Sequence, residues 1–365
     1  MKRVFALILI ASLAHCAYGE ITGWWGLVSF RERYEIQKEY TDVSFTGEPG
    51  RLRYTDTNTK TRVGYSFGFK KRVFENLDAG VTFRSGVGSV MWQDINSNGS
   101  LLPGLLEAYI DWRTPYAELL LGKIPQKGNV FWDLYTCANL REDWRLYNPT
   151  DGVFNDRLGA LNGMRLSVPV GPVTVRMVYH ADYVGGYARD YPEETNLDDE
   201  RDLDWQVFVL GAEVRKAGFD LDVDVGLPKR RGNRYRRGRD SGYVDEFIWG
   251  GTLRKEIPDL YGTELQIGYA YNSRDSIFTA SFVDAIASAQ VAGFRLTGRY
   301  QIGIQDMEFG IYKGYRTKRA AYHLYFNKEV WHLDIQPRLI WFRTEVAGNR
   351  KMTNLRLEVT STVRF

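Results

Sequence analysis

The sequence predicts an all-β fold, a transmembrane antiparallel β-barrel of about sixteen strands, on three observations. The final residues, 354–365, alternate polar and apolar and stop on an aromatic: Leu355, Leu357, Val359, Val363 and Phe365 share one face, broken only by Ser361, against Arg356, Glu358, Thr360, Thr362 and Arg364. A period of two sustained over this length is a strand with a different solvent on each face, and about ten residues is what a tilted strand needs to cross hydrocarbon. The same pattern recurs upstream, most clearly where Val63, Tyr65, Phe67 and Phe69 alternate with polar or small residues and where Asp220, Asp222 and Asp224 interleave with Phe219, Leu221, Val223 and Val225. Finally, the connections between such segments alternate between short and long, the asymmetry of barrels with tight turns on one side of a membrane and loops on the other.

Taken in order, the chain opens with Lys2 and Arg3, an apolar run from Val4 to Leu13, and Ala17-Tyr18-Gly19, which has small residues where a signal peptidase reads. Residues 1–19 are therefore expected to be a signal peptide and 20–365 the barrel. A lipoprotein reading through Cys16 fits less well, because His15 stands where a small residue is wanted. Once the signal is removed, Cys137 is the single remaining thiol, so no disulfide is expected. Strands are expected over 24–36, 62–70, 79–84, 106–112, 117–121, 163–170, 173–183, 206–215, 219–227, 247–254, 261–271, 292–300, 307–315, 322–326, 331–341 and 354–365. Tight turns are expected at 74–78, 113–115, 171–172, 216–218, 258–259, 301–305 and 328–329. Longer connections fall at 37–60, 87–104, 124–160, 184–204, 228–242, 272–290, 316–320 and 344–353.

Composition narrows the function classes. A mean hydropathy of −0.36, 25% charged residues and no long apolar segment after residue 20 exclude helical spans. They are compatible with a barrel, in which only every second residue meets lipid. The net charge of +3 and the absence of a nucleic-acid-binding motif exclude nucleic acid as a partner. No metal-ligand spacing or nucleotide loop occurs, so no cofactor is expected. His180, His323 and His332 never fall beside an outward Ser, so the sequence does not point to a barrel hydrolase.

Cost assigns the two faces. An Arg on the lipid side at the bilayer midplane costs about 2–4 kcal/mol, so Arg295 and Arg299 must turn inward. The same argument turns inward Arg62, Arg84, Arg165, Arg176, Arg338 and Arg356, together with Glu107, Asp111, Glu118, Asp220, Asp222, Asp224, Glu264, Glu308 and Asp334. Trp24, Trp112, Trp331, Tyr261 and Phe365 then gather at the tight-turn end and Trp205, Trp341, Tyr271 and Tyr315 at the other, as two aromatic girdles. A sixteen-stranded ring leaves an aqueous channel, whereas eight strands would be filled by side chains.

The terminal strand ending on Phe365, the segment Glu75-Asn76-Leu77-Asp78-Ala79-Gly80-Val81-Thr82-Phe83-Arg84-Ser85-Gly86 and the segment Leu121-Gly122-Lys123-Ile124-Pro125 resemble the outer-membrane porins of Gram-negative bacteria. The resemblance implies a location in the cell outer membrane with both termini periplasmic. It implies passive diffusion of small hydrophilic solutes and ions, frequently through a homotrimer, with lipid and lipopolysaccharide as surroundings. It further implies that one long loop folds into the pore, which by position is 125–159. Its acids Asp133, Glu142, Asp143, Asp151 and Asp156 would then face wall arginines drawn from Arg62, Arg84, Arg165, Arg176, Arg295 and Arg299. Trp132, Trp144 and Tyr147 could stack on a saccharide or merely pack the loop against the wall. A saccharide- or anion-specific channel is the main alternative, and a closed structural or adhesive barrel a further one. The basic run 229–239 would meet lipopolysaccharide phosphates or simply water.

Overall fold

The computed structural model describes residues 21–41, 51–85, 93–94, 103–125, 130–131, 160–182, 205–231, 243–245, 247–272, 278–307, 316–346 and 350–365. Its strands are β1 (Ile21–Thr41), β2 (Arg51–Phe74), β3 (Leu77–Ser85), β4 (Gln93–Asp94), β5 (Pro103–Arg113), β6 (Glu118–Pro125), β7 (Ala160–Val170), β8 (Val173–Asp182) and β9 (Trp205–Lys216) in the first half. The second half holds β10 (Phe219–Arg231), β11 (Tyr243–Asp245), β12 (Ile248–Ile257), β13 (Thr263–Asn272), β14 (Phe278–Val291), β15 (Phe294–Met307), β16 (Arg316–Val330), β17 (Leu333–Val346) and β18 (Arg350–Arg364).

Every strand pairs antiparallel with its neighbours in one sheet, and β18 returns to β1 in a register running from Leu27↔Arg364 to Thr41↔Arg350, so the sheet closes. The short β4 continues the line of β3 along β2, pairing at Arg62↔Asp94 beyond Ser66↔Arg84. In the same way β11 continues β12 along β10, at Lys229↔Asp245 beyond Gly226↔Ile248. The ring is therefore sixteen strands wide, as the sequence predicts. Closure leaves no unpaired edge, which is the condition for placing a sheet in hydrocarbon.

Both chain ends of the described barrel lie at the tight-turn end, where Gly26 and Phe365 exchange backbone hydrogen bonds of 2.8 and 3.0 Å. Three of the two-residue turns there are left-handed at both positions, Ala217 and Gly218, Ala292 and Gly293, Trp331 and His332, as are Tyr261 and Gly262 in the longer turn before β13. This two-residue geometry matches the right-handed twist of the flanking strands. At Gly293, φ is +78° and an added Cβ would meet nothing, so the glycine is there for its backbone angle rather than for space. Trp331 and His332 adopt the same angles without that freedom, at a cost of roughly 1–2 kcal/mol each.

Four expected connections are corrected. The segment 301–305, expected to be a turn, runs through β15, and the turn lies at 292–293; the expected loop 272–290 is mostly β14. The reason lies in side-chain size. The outward row of β14 is Ser281, Val283, Ala285, Ala287 and Ala289, too small to give strong contrast, while Gln301, Gly303 and Gln305 resemble a turn although they alternate with Ile302 and Ile304. Likewise 316–320 and 328–329 belong to β16, whose turn is 331–332. Of the expected strand 307–315 only Met307 is described, as the last residue of β15, and 308–315, including Glu308 and Tyr315, lie outside the described residues.

Burial separates the faces. Phe67, Leu210, Leu227, Ile267, Leu357 and Val359 are exposed on one side, while their neighbours on the other include buried Arg62, Asp224, Arg356 and Glu358. An exposed apolar face around a closed ring is a lipid face. At the tight-turn end it carries Trp24, Phe74, Trp112, Tyr116, Tyr261, Trp331 and Phe365. Higher up, Trp249 lies 5.1 Å from Tyr269 and Tyr322 lies 5.2 Å from Trp341, ring centre to ring centre. About nine residues of strand separate the two bands, which at ~3.3 Å per residue and ~40° tilt is roughly 23 Å, the height of a bilayer belt. No helix among the described residues is long and apolar enough to cross a membrane.

Candidate functional site

The inner face is the candidate site, and it divides into three parts. Across β8, β9 and β10, Arg176 faces Gly211, which faces Asp224. The guanidinium spans the middle strand to reach Asp224 Oδ1 at 3.0 Å, and it also grips Asp222, with Nη1 3.0 Å from Oδ2. Only a glycine at 211 permits this crossing, because a Cβ there would run into Asp224 Oδ1 and lie 3.1 Å from the arginine. The row of like charges on β10 is thus relieved by a cation two strands away.

Across β14 to β18 and β1 runs a second, almost dry row. Arg299 Nη2 lies 2.6 Å from Asp284 Oδ2. Arg338 approaches Glu358 at 3.7 Å; Arg33 Nε binds the same carboxylate at 2.6 Å, and Arg356 lies 3.3 Å from Glu35. Asn354 also donates to Glu35, and Ser29 and Thr362 share a 2.7 Å hydrogen bond. A guanidinium can only donate, so the Arg338 nitrogen 2.9 Å from His323 Nδ1 makes that atom the acceptor, and the imidazole proton sits on Nε2. The Arg356 guanidinium also stacks on Phe342. Four of these contacts, Arg33–Glu358, Arg356–Glu35, Asn354–Glu35 and Ser29–Thr362, join the last strand to the first, so they reinforce the closing seam.

The third part is apolar. Among the described residues of the long loop, Val130 and Phe131 are buried, and they lie against β10, β12 and β13, well around the ring from β6. A Cβ at Gly226 would come within 2.7 Å of the Phe131 ring, one at Gly250 within 2.8 Å of the Phe131 backbone, and one at Gly268 would collide with Val130. The Val130 N–H points at Thr252 Oγ1, 3.3 Å away. These glycines share the face of Asp222 and Asp224, so the segment lies inside the barrel. Val209, Ile248, Ala270 and Phe282, all buried, complete a seat for it.

The predicted wall residues fall on this inner face as follows. Arg62 is buried on β2 opposite Arg31, and Arg84 on β3 lies opposite Ser66 and Gly104. Glu107 accepts from Thr82 at 2.7 Å; Asp111 binds Lys70 at 3.0 Å and Arg113 at 2.6 Å. Arg165 lies between Leu120 and Val178, and Asp220 is 3.5 Å from Arg215. Arg295 reaches Glu264 at 2.6 Å. The loop residues Trp132, Asp133, Glu142, Asp143, Trp144, Tyr147, Asp151 and Asp156 lie outside the described residues. The sequence reading passed over Arg33 and Glu35, whose inward parity was the available signal, and the glycine seat, which had none, since its three members come from three strands.

No protein-family model and no curated protein matches the chain. Solved structures do. The barrel superposes on Pseudomonas putida OprB with a TM-score of 0.59 at 9% identity, covering 94% of each chain. It superposes on the trimer form of OmpT, an outer membrane protein of Vibrio cholerae, with a TM-score of 0.51 at 9% identity, covering 93% of this chain and 99% of that one. This chain has the fold of a sixteen-stranded outer-membrane barrel. At such identities the likeness concerns backbone alone, and the inner-face chemistry is this chain's own.

Proposed function

We propose that the protein is an outer-membrane channel through which small hydrophilic solutes and ions diffuse passively, and not an enzyme. The observation that carries this reading is the seating of Val130 and Phe131 inside a closed sixteen-stranded ring: a segment bound to one part of the wall narrows a lumen of this width without filling it. Residues 1–19 would act as a cleaved signal and both termini would face the periplasm, where a tight-turn end with Phe365 belongs. Surrounding lipid and lipopolysaccharide, and a homotrimeric assembly like the trimer form named for the Vibrio protein, are part of the same reading. The histidines of the wall support a non-catalytic role, since His180 and His323 are buried, His180 Nδ1 against the Asn162 carbonyl.

The test is single-channel recording in a planar bilayer. Persistent ohmic steps are expected, with conductance raised when Phe131 is replaced by Ala and the segment loses its anchor. A barrel that conducts no ions would favour a structural or adhesive role. Block by a saccharide at low concentration, abolished by Trp132→Ala or Trp144→Ala, would favour the saccharide-specific alternative.

A further inference from the structure

The tight-turn mouth carries a feature that simple diffusion does not require. Arg72, Arg113, Arg215, Arg254, Arg295 and Arg364 are spread around the ring on β2, β5, β9, β12, β15 and β18, each on the inner side within a few residues of the tight-turn end. Each touches a carboxylate, yet the two partners are not equally wet. The guanidiniums are 45–74% exposed, whereas the carboxylates they bind are 2–33% exposed. The acids lie against the wall and the cations stand between them and the water. A solute at this mouth therefore meets six exposed guanidiniums, with Glu256 and Glu329 as exposed acids on the same face.

The arrangement is most one-sided at β12 to β15. Glu264 is shared, with Oε1 3.1 Å from Arg254 and Oε2 2.6 Å from Arg295, so one carboxylate holds two guanidiniums, with Glu256 exposed across from it in register. Arg254 also donates to Gln266 at 3.1 Å and Arg295 to Ser288 at 2.9 Å. Two guanidiniums hold ten N–H donors, and these contacts engage about four of them among the described residues. Planar, half-exposed guanidiniums steadied on one carboxylate suit bidentate contact with phosphate or carboxylate oxygens.

We propose that this mouth is a binding collar for multivalent oxyanions, with Arg254 and Arg295 as its principal station. The collar concentrates phosphate- or carboxylate-bearing solutes at one end of the lumen. The inference deepens the channel reading and rests on it for its electrical readout alone.

Inorganic triphosphate is the probe. Calorimetry on the purified full-length barrel in detergent should show binding that weakens about tenfold or more in Arg254→Gln/Arg295→Gln. The charge-conserving Arg254→Lys/Arg295→Lys should retain part of it, and Lys255→Gln, on the outer face, should leave it unchanged. In a bilayer, triphosphate should block current from the tight-turn side at lower concentration than from the other side, and the difference should vanish in the double Gln variant. Equal binding by the wild type and the double Gln variant, with the variant folded by circular dichroism, would overturn the collar, as would equal block from both sides. A barrel that binds triphosphate through these arginines and yet never conducts would sustain the collar and sink the channel.

Discussion

At the closing seam, Arg33 and Arg356 are 1% and 0% exposed and are held by Glu358 and Glu35; at the tight-turn mouth, Arg254 and Arg295 are each 45% exposed over Glu264. Both regions are arginine rows on the same inner face, with ion pairs of similar length. They differ in water. In the dry row each charge depends on its partner, because a lone buried charge is far costlier than a pair. In the wet row solvent already satisfies much of each guanidinium, so the pair contributes little to stability and the donors remain available to a solute. Ion pairing therefore does not by itself separate structural charges from functional ones; exposure does.

The comparison is broken most severely by Glu358→Ala. It would strand Arg33 and Arg338 in the seam, and a loss of about 3–5 kcal/mol is expected, read as a large fall in the thermal unfolding midpoint in detergent. A variant as stable as the parent would show that water enters the seam. Deleting Phe365 attacks the same closure at its end. The residue exchanges two backbone hydrogen bonds with Gly26, and its ring fills the space a Cβ at 26 would need. The amount of folded barrel in the membrane fraction should drop, with material left in the periplasm.

Gly211→Ala should have an intermediate effect, roughly 1–3 kcal/mol, by driving a methyl group into the Arg176–Asp224 crossing; a neutral result would mean that the pair can re-route. Gly250→Val is aimed at the loop seat. Its branched side chain would meet the Phe131 backbone, so single-channel conductance should rise while the unfolding midpoint moves little. The smallest stability effect is expected from Arg295→Gln, about 0–1 kcal/mol, with permeability nonetheless shifting toward cations. Arg299→Gln should do the reverse, lowering stability more and altering selectivity less, because its guanidinium is committed to Asp284. If the two variants behaved alike in reversal potential and unfolding, exposure would not be the distinguishing property.

Fold class, ring size and the inward parity of the charged rows followed from the sequence because they rest on local alternation and on the cost of charge in lipid, both of which a single strand reports. That is why the direction of Arg295, Arg299, Asp222 and Asp224 was legible residue by residue. Where alternation lost contrast, β14 was missed as a strand and the far boundary of β15 went astray, and the count of sixteen held because a strand was also expected over 307–315. What depends on neighbours across the ring was invisible. Gly226, Gly250 and Gly268 form one seat only because three strands stand in register, and Gly211 matters only because Arg176 and Asp224 flank it. Arg295 and Arg299, two steps apart on the inner face of β15, look alike in sequence, and the tertiary structure alone places the first in water over a shared carboxylate and the second in a dry pair with Asp284. A strand's period is set within the strand, whereas a side chain's dielectric surroundings are set by the strands and loops that close around it.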